Sequence, residues 1–109
     1  MIKTILTESG FIENKTFKET RFLKPPKSTY AVYEDAYSSG GADSANLIKA
    51  HSYTIEQYST VPDPESEARL EATFDKYAIP YEKQPRYWID SEQLWQVVYT
   101  FDHIEKIGG

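Results

Sequence analysis

At 109 residues, with 39% hydrophobic and 15% aromatic residues, the chain has the size of one domain and enough apolar material for a core, which excludes a disordered polymer. A net charge of −5 and a pI near 5.0 argue against a surface that grips nucleic acid by neutralising phosphates. With no cysteine there are no disulfides or thiolate metal sites, and no apolar run reaches the ~20 residues of a membrane span or forms a signal peptide. The expectation is one soluble domain, residues 1–109, that stays where it is made.

Ile2, Ile5 and Leu6 fall at i, i+3 and i+4, one face of a short helix that Gly10 would end. Residues 17–23 form a ragged strand candidate, closed off by Pro25-Pro26. Residues 30–37 begin with Tyr30-Ala31-Val32-Tyr33, a run that favours a strand. Ser38, Ser39, Gly40, Gly41, Ala42, Asp43 and Ser44 then read as a loop too long for a two-residue turn, the candidate assembly loop of the chain. Residues 47–59 read as a long strand with Tyr53 and Ile55 on one face, so the two strands make an extended hairpin.

The clearest local signal is Val61-Pro62-Asp63-Pro64-Glu65. Asp63 can accept a backbone hydrogen bond as N-cap, Pro64 suits the first helical position, and Glu65 and Glu67 complement the helix dipole. Leu70, Phe74 and Tyr77 continue one apolar stripe, predicting a helix over residues 64–78 that Pro80 terminates. Residues 81–89 read as a strand interrupted by Pro85, which implies an edge or a bulge. After a turn at Asp90-Ser91-Glu92, Trp95, Val97, Tyr99 and Phe101 alternate with Gln96, Val98, Thr100 and Asp102, as in a half-buried strand. The order predicts an α+β fold: an antiparallel sheet of four to five strands with two helices packed on one face.

Little in the chain points to chemistry. His51 and His103 are the two histidines, far apart in sequence and without ligand spacing around them, so structural or surface roles are expected. Glu65, Glu67, Glu71 and Asp75 are explained as the solvated side of an amphipathic helix. Ser38-Ser39-Gly40-Gly41 lacks the Lys-Ser/Thr ending of a phosphate-binding loop. Lys24, Lys27 and Lys49 read as scattered solvated cations, and Trp88 and Trp95 as core or sheet-face residues. No catalytic residue, cofactor or metal ligand is therefore assigned, and the expectation is a protein that is not an enzyme.

Three stretches in order carry a resemblance: Tyr30-Ala31-Val32-Tyr33; Tyr53 to Ser59 running into Asp63 to Glu71; and Tyr81-Glu82-Lys83 with Trp88-Ile89, then Glu92 to Phe101. In these the chain resembles the small tail-completion, tail-terminator and head–tail joining proteins of long-tailed bacteriophages and prophages. Residues 11–27 match that pattern poorly, and Gln57 stands where an apolar residue is expected. The resemblance implies a structural protein that forms a ring, commonly hexameric, on the end of the tail tube. Its partners would be further copies of itself, the tail-tube protein and the head-connector protein. DNA would pass the central hole without specific binding, and no membrane is involved. The implied location is the virion tail or neck, with assembly in the cytoplasm of the bacterial host. A negative chain suits a lumen that does not retain DNA. The alternative from another class is a small hydrolase or toxin-like enzyme using His51 or His103 with a carboxylate. A third reading is a monomeric adaptor that binds through an exposed strand edge.

Overall fold

The computed structural model describes residues 1–40 and 48–106. In chain order the elements are α1 (Ile2–Glu8), β1 (Phe17–Glu19), β2 (Tyr30–Gly40), β3 (Ile48–Ser59), α2 (Pro64–Lys76), β4 (Glu82–Lys83), β5 (Tyr87–Ile89) and β6 (Leu94–Lys106). This is the expected α+β layering, with one six-stranded sheet in the order β1-β2-β3-β6-β4 and β5 beside β4 on the same side of β6.

Two details differ from expectation. The sheet has six strands because Pro85 splits the 81–89 region into β4 and β5, both paired to β6. It is also not wholly antiparallel. β1 pairs with β2 in parallel, Phe17 beside Ala31 and Glu19 beside Tyr33, because the irregular segment 20–29 carries the chain back to the start of β2. The remaining pairings are antiparallel, and β3 is central, matched residue for residue to β2 on one side and β6 on the other.

The period of two along the strands sorts the side chains. Ala31 and Tyr33 of β2, Tyr53, Ile55 and Gln57 of β3, and Val97, Tyr99 and Phe101 of β6 point to the helices and are buried. They meet Ile2, Ile5 and Leu6 of α1 and Leu70 and Phe74 of α2. Phe74 packs on Tyr81 and Phe101 at ring separations of 4.7 and 5.0 Å. Asp63 caps α2 as expected, accepting from the Ser66 backbone N–H at 3.0 Å. It also accepts from the Thr29 hydroxyl at 2.6 Å, which ties the 20–29 segment to the helix start. α1 ends at Ser9, and Gly10 follows with φ +100°, a conformation that other residues enter only with strain. Arg69 of α2 donates to the Ser9 carbonyl at 3.2 Å, fastening the two helices together.

The opposite sheet face is covered at one end only. There Phe22 meets Tyr30 edge-on and Tyr30 stacks on Tyr58, so Tyr30 and Val32 are buried without a helix above them. Trp88 and Trp95 are paired half-buried sheet residues with ring centres 5.4 Å apart.

Candidate functional site

β2, β3 and β6 run on past the helix layer. The last residues beneath α2 are Tyr53 and Phe101, with Phe101 against Phe74 and Tyr53 stacked on Phe101. Beyond them β3 and β6 continue for five residues each, to Ile48 and Lys106. At about 3.3 Å per residue this is an arm on the order of 17 Å long. Its outer edges carry no further strand among the described residues: β1 pairs β2 only at residues 31–33, and β4 pairs β6 only at 99–100. Tyr37 and Ile104 on the arm are about 60% exposed, at 59% and 63%.

The first residues of the candidate assembly loop lie at the end of this arm. Ser38, Ser39 and Gly40 are the last residues of β2, so the strand runs further than the sequence pattern indicates. Gly41, Ala42, Asp43 and Ser44 lie outside the described residues.

Where the arm leaves the helices, the aromatic face turns polar. His51 lies flat on Tyr53, with ring centres 5.1 Å apart and planes 3° from parallel, and Tyr37 tilts against it at 5.4 Å. His51 Nδ1 is 2.8 Å from Asp35 Oδ1, a hydrogen bond across to β2. Nε2 is 3.4 Å from Glu105 Oε2 of β6, close enough for an ion pair but without hydrogen-bond geometry, so Nε2 is a buried atom with no hydrogen bond. The His51 side chain is 9% exposed. His103 is its cross-strand neighbour, with ring centres 6.3 Å apart. Lys49 lies over the Tyr37 ring at 5.4 Å, a cation–π contact rather than a free solvated cation.

The two histidines, unrelated in the sequence reading, are thus side by side. The signal that would have joined them is register: Tyr53 opposite Phe101 fixes His51 opposite His103 and Tyr37. An imidazole whose Nδ1 is held by a carboxylate has a fixed orientation and an oriented Nε2. Here Nε2 faces a second carboxylate, so one imidazole on β3 stands between an acid of β2 and an acid of β6. Among the described residues no group of three or more His, Asp or Glu converges as a metal site, and no helix is long and apolar enough to cross a membrane.

A second polar constellation corrects the sequence reading of α2. Glu65 and Asp75 are exposed, but Glu67 is buried and Glu71 half-buried. Arg86 holds Glu67 with two nitrogens at 2.7 and 3.3 Å. Lys83 bridges Glu67 at 2.8 Å and Glu71 at 2.7 Å, and the Tyr99 hydroxyl donates to Glu71 at 2.7 Å. Burial pushes the Glu71 carboxyl up, but the hydrogen bonds from Lys83 and Tyr99 outweigh it and hold the group below its ordinary range. Burial, joined by the bond to Glu71, raises the Tyr99 phenol strongly. This network pins the β4–β5 region to α2. Glu67 precedes Leu70 and Phe74 by three and seven residues, so helical periodicity sets it on the buried face, and the arrival of Lys83 and Arg86 from a later segment makes that burial tolerable.

One group stands apart. Gln57 is buried in the core between Ala31 and Val97, and neither its Nε2 nor its Oε1 has a hydrogen-bond partner. No protein-family model matches the chain, and no curated protein matches it.

Proposed function

We propose that this chain is a structural morphogenesis protein of a long-tailed bacteriophage or prophage, which completes the tail tube and joins it to the head connector as a ring. The observation that carries the reading is the three-stranded arm with two unpaired edges. Bare sheet edges template pairing with another chain, and natural proteins cover or blunt them. A subunit whose arm is laid against its neighbours buries those edges, together with Tyr37 and Ile104, on assembly. The stretches that carry the family resemblance correspond to the start of β2, β3 running into α2, and β4 to β6, the framework from which the arm extends. On this reading the acidic protein lines or flanks a DNA passage without holding DNA, and resides in the virion tail or neck. Its partners are its own copies, the tail-tube protein and the head connector.

The test is co-expression with the tail-tube protein of the phage or prophage that carries this chain, viewed by electron microscopy. Rings that cap tubes of defined length support the reading. Tubes that grow uncapped whether or not the chain is present refute it.

A second reading has one observation in its favour, the 2.8 Å contact of His51 with Asp35, the pairing found in hydrolytic sites. A small hydrolase acting through His51 would lose its activity in His51→Ala. Activity unchanged in that variant, or absent from the wild-type chain against ester and phosphodiester substrates, removes it.

A further inference from the structure

We propose that the helix-free sheet face is the docking surface for the basic β1–β2 segment of a second copy of this chain, in a head-to-tail contact. The inference deepens the ring reading and rests on it.

The face is acidic row by row. Register places Glu34, Thr54, Thr100 and Glu82 in one line across β2, β3, β6 and β4. Glu56 stands in the adjoining row, between Val32 and Val98, and Asp102 in the row on the other side, beside Ser52. Within these rows the one cation is Lys18 of β1, at the margin beside Val32. Burial and the charge of Glu34 push the Glu56 carboxyl above its ordinary value, so like charges already crowd one another here. The threonines, serine and alanine between them keep the surface low and flat.

The complement begins at the β1 margin of the sheet, where Lys18 stands beside Val32 and next to Glu34, and runs on into the segment before β2. Residues 15–27 hold Lys15, Lys18, Arg21, Lys24 and Lys27 against the single acid Glu19. All five cations are exposed, and none pairs with an acid among the described residues. Leu23, 79% exposed, supplies an apolar anchor in their midst. Because the sheet order is β1-β2-β3-β6-β4, Lys18 of β1 and Glu82 of β4 are at opposite margins of one face. A contact of one margin with the other is heterologous: each copy offers one of each, and closure gives a ring. Charged rims of this kind set orientation and association rate.

The test uses the full chain in three forms: wild type, Lys18→Glu with Lys24→Glu, and Glu34→Lys with Glu82→Lys. Sedimentation is followed at low and high salt, with circular dichroism as the check on folding. Wild type is expected to self-associate in a salt-sensitive way. Each variant alone is expected to weaken association at least tenfold, and an equimolar mixture of the two to restore it, because each then supplies the surface the other has reversed. Assembly of either variant equal to wild type overturns the surface while leaving the ring reading intact. A wild-type chain that remains monomeric overturns the proposal, while the capping experiment decides the ring separately. Should a variant fail to fold, zero-length carbodiimide cross-linking of mixed light and heavy wild-type chains takes its place. Intermolecular links from Lys18 or Lys24 to Glu82 or Asp102, which lie far from β1 in one chain, support the contact. Links within one chain only, or, when the tail-tube protein is added, links to it in place of a second copy, overturn it.

Discussion

Replacing Gln57 by methionine is expected to stabilise the protein. The glutamine side chain is 1% exposed, and both polar atoms of its amide lack partners. A buried polar group left unsatisfied costs about 1–3 kcal/mol. Methionine keeps the unbranched chain and nearly the same length, so it fits the slot between Ala31 and Val97 without forcing the neighbours apart. The expected gain is therefore about 1–3 kcal/mol. For a chain of this length each kcal/mol moves the thermal midpoint by roughly 4 °C, which predicts a rise of roughly 4–12 °C. Thermal unfolding followed by circular dichroism, with urea titration for the free energy, measures it. Gln57→Glu is the counterpart, since a carboxylate in the same slot has no cation to meet and should destabilise strongly. An unchanged or lowered midpoint in Gln57→Met, or tolerance of Gln57→Glu, would refute the reasoning and place a bound water beside the amide.

Removing the buried acid of the clamp, Glu67→Ala, takes the partner from Arg86 and one of two from Lys83; both cations are more than a third exposed and can turn to water, so the cost should be about 1–3 kcal/mol in urea unfolding. A loss below about 1 kcal/mol would mean that the β4–β5 region holds without the clamp. Stability should also fall in acid. Asp63 is pushed up by burial but brought lower overall by Thr29 and Ser66, and Glu71 is likewise lowered, so both have folded-state values below their ordinary 3.8 and 4.5. A depressed carboxyl contributes stability above its unfolded value and loses it as pH drops through the folded one. The urea midpoint should therefore decline below about pH 4.5, and Glu71→Gln should flatten that decline; an equally steep decline in the variant argues against the assignment. In His51→Phe the stack on Tyr53 is kept while Asp35 and Glu105 lose their shared partner. Amide exchange in β2 and β6 beyond Asp35 and Phe101 should accelerate, with the rates beneath α2 unchanged; uniform rates would show that these contacts contribute nothing to the arm.

What the sequence reveals is what local chemistry decides. Asp63-Pro64 marks the start of α2 because capping needs only neighbours, and Trp95 to Phe101 declares β6 because alternation is written within one strand. The hairpin and the layer of two helices follow from the same signals. The parallel pairing of β1 is hidden because three residues carry no pattern of their own and the partner is chosen by the path of 20–29. Glu67 is misjudged for a different reason: its spacing from Leu70 and Phe74 sets it on the buried face, but its charge reads as solvated, and the cations that hold it come from 16 and 19 residues further on. Gln57 departs from the apolar alternation, and the fold buries it regardless because its strand is fixed by Ile55 and Tyr53. The His51 cluster needs three strands in register before it exists at all. The proposed assembly surfaces are legible only in fragments, as a basic stretch at 15–27 and as acids spaced too widely to look like one face.

β3 and β6 run from the core to the end of the arm with no glycine or proline and with an unbroken one-to-one register between them. Nothing along that path can serve as a hinge. The arm is therefore a lever rooted in the packing around Phe74 and Phe101, and whatever seizes its far end sets the tilt of the entire body. In a closed assembly, the angle between adjacent copies would then be dictated by the twist of three continuous strands. A single glycine placed within β3 at Ser52 would give that angle freedom, and rings of uneven diameter would be its visible trace.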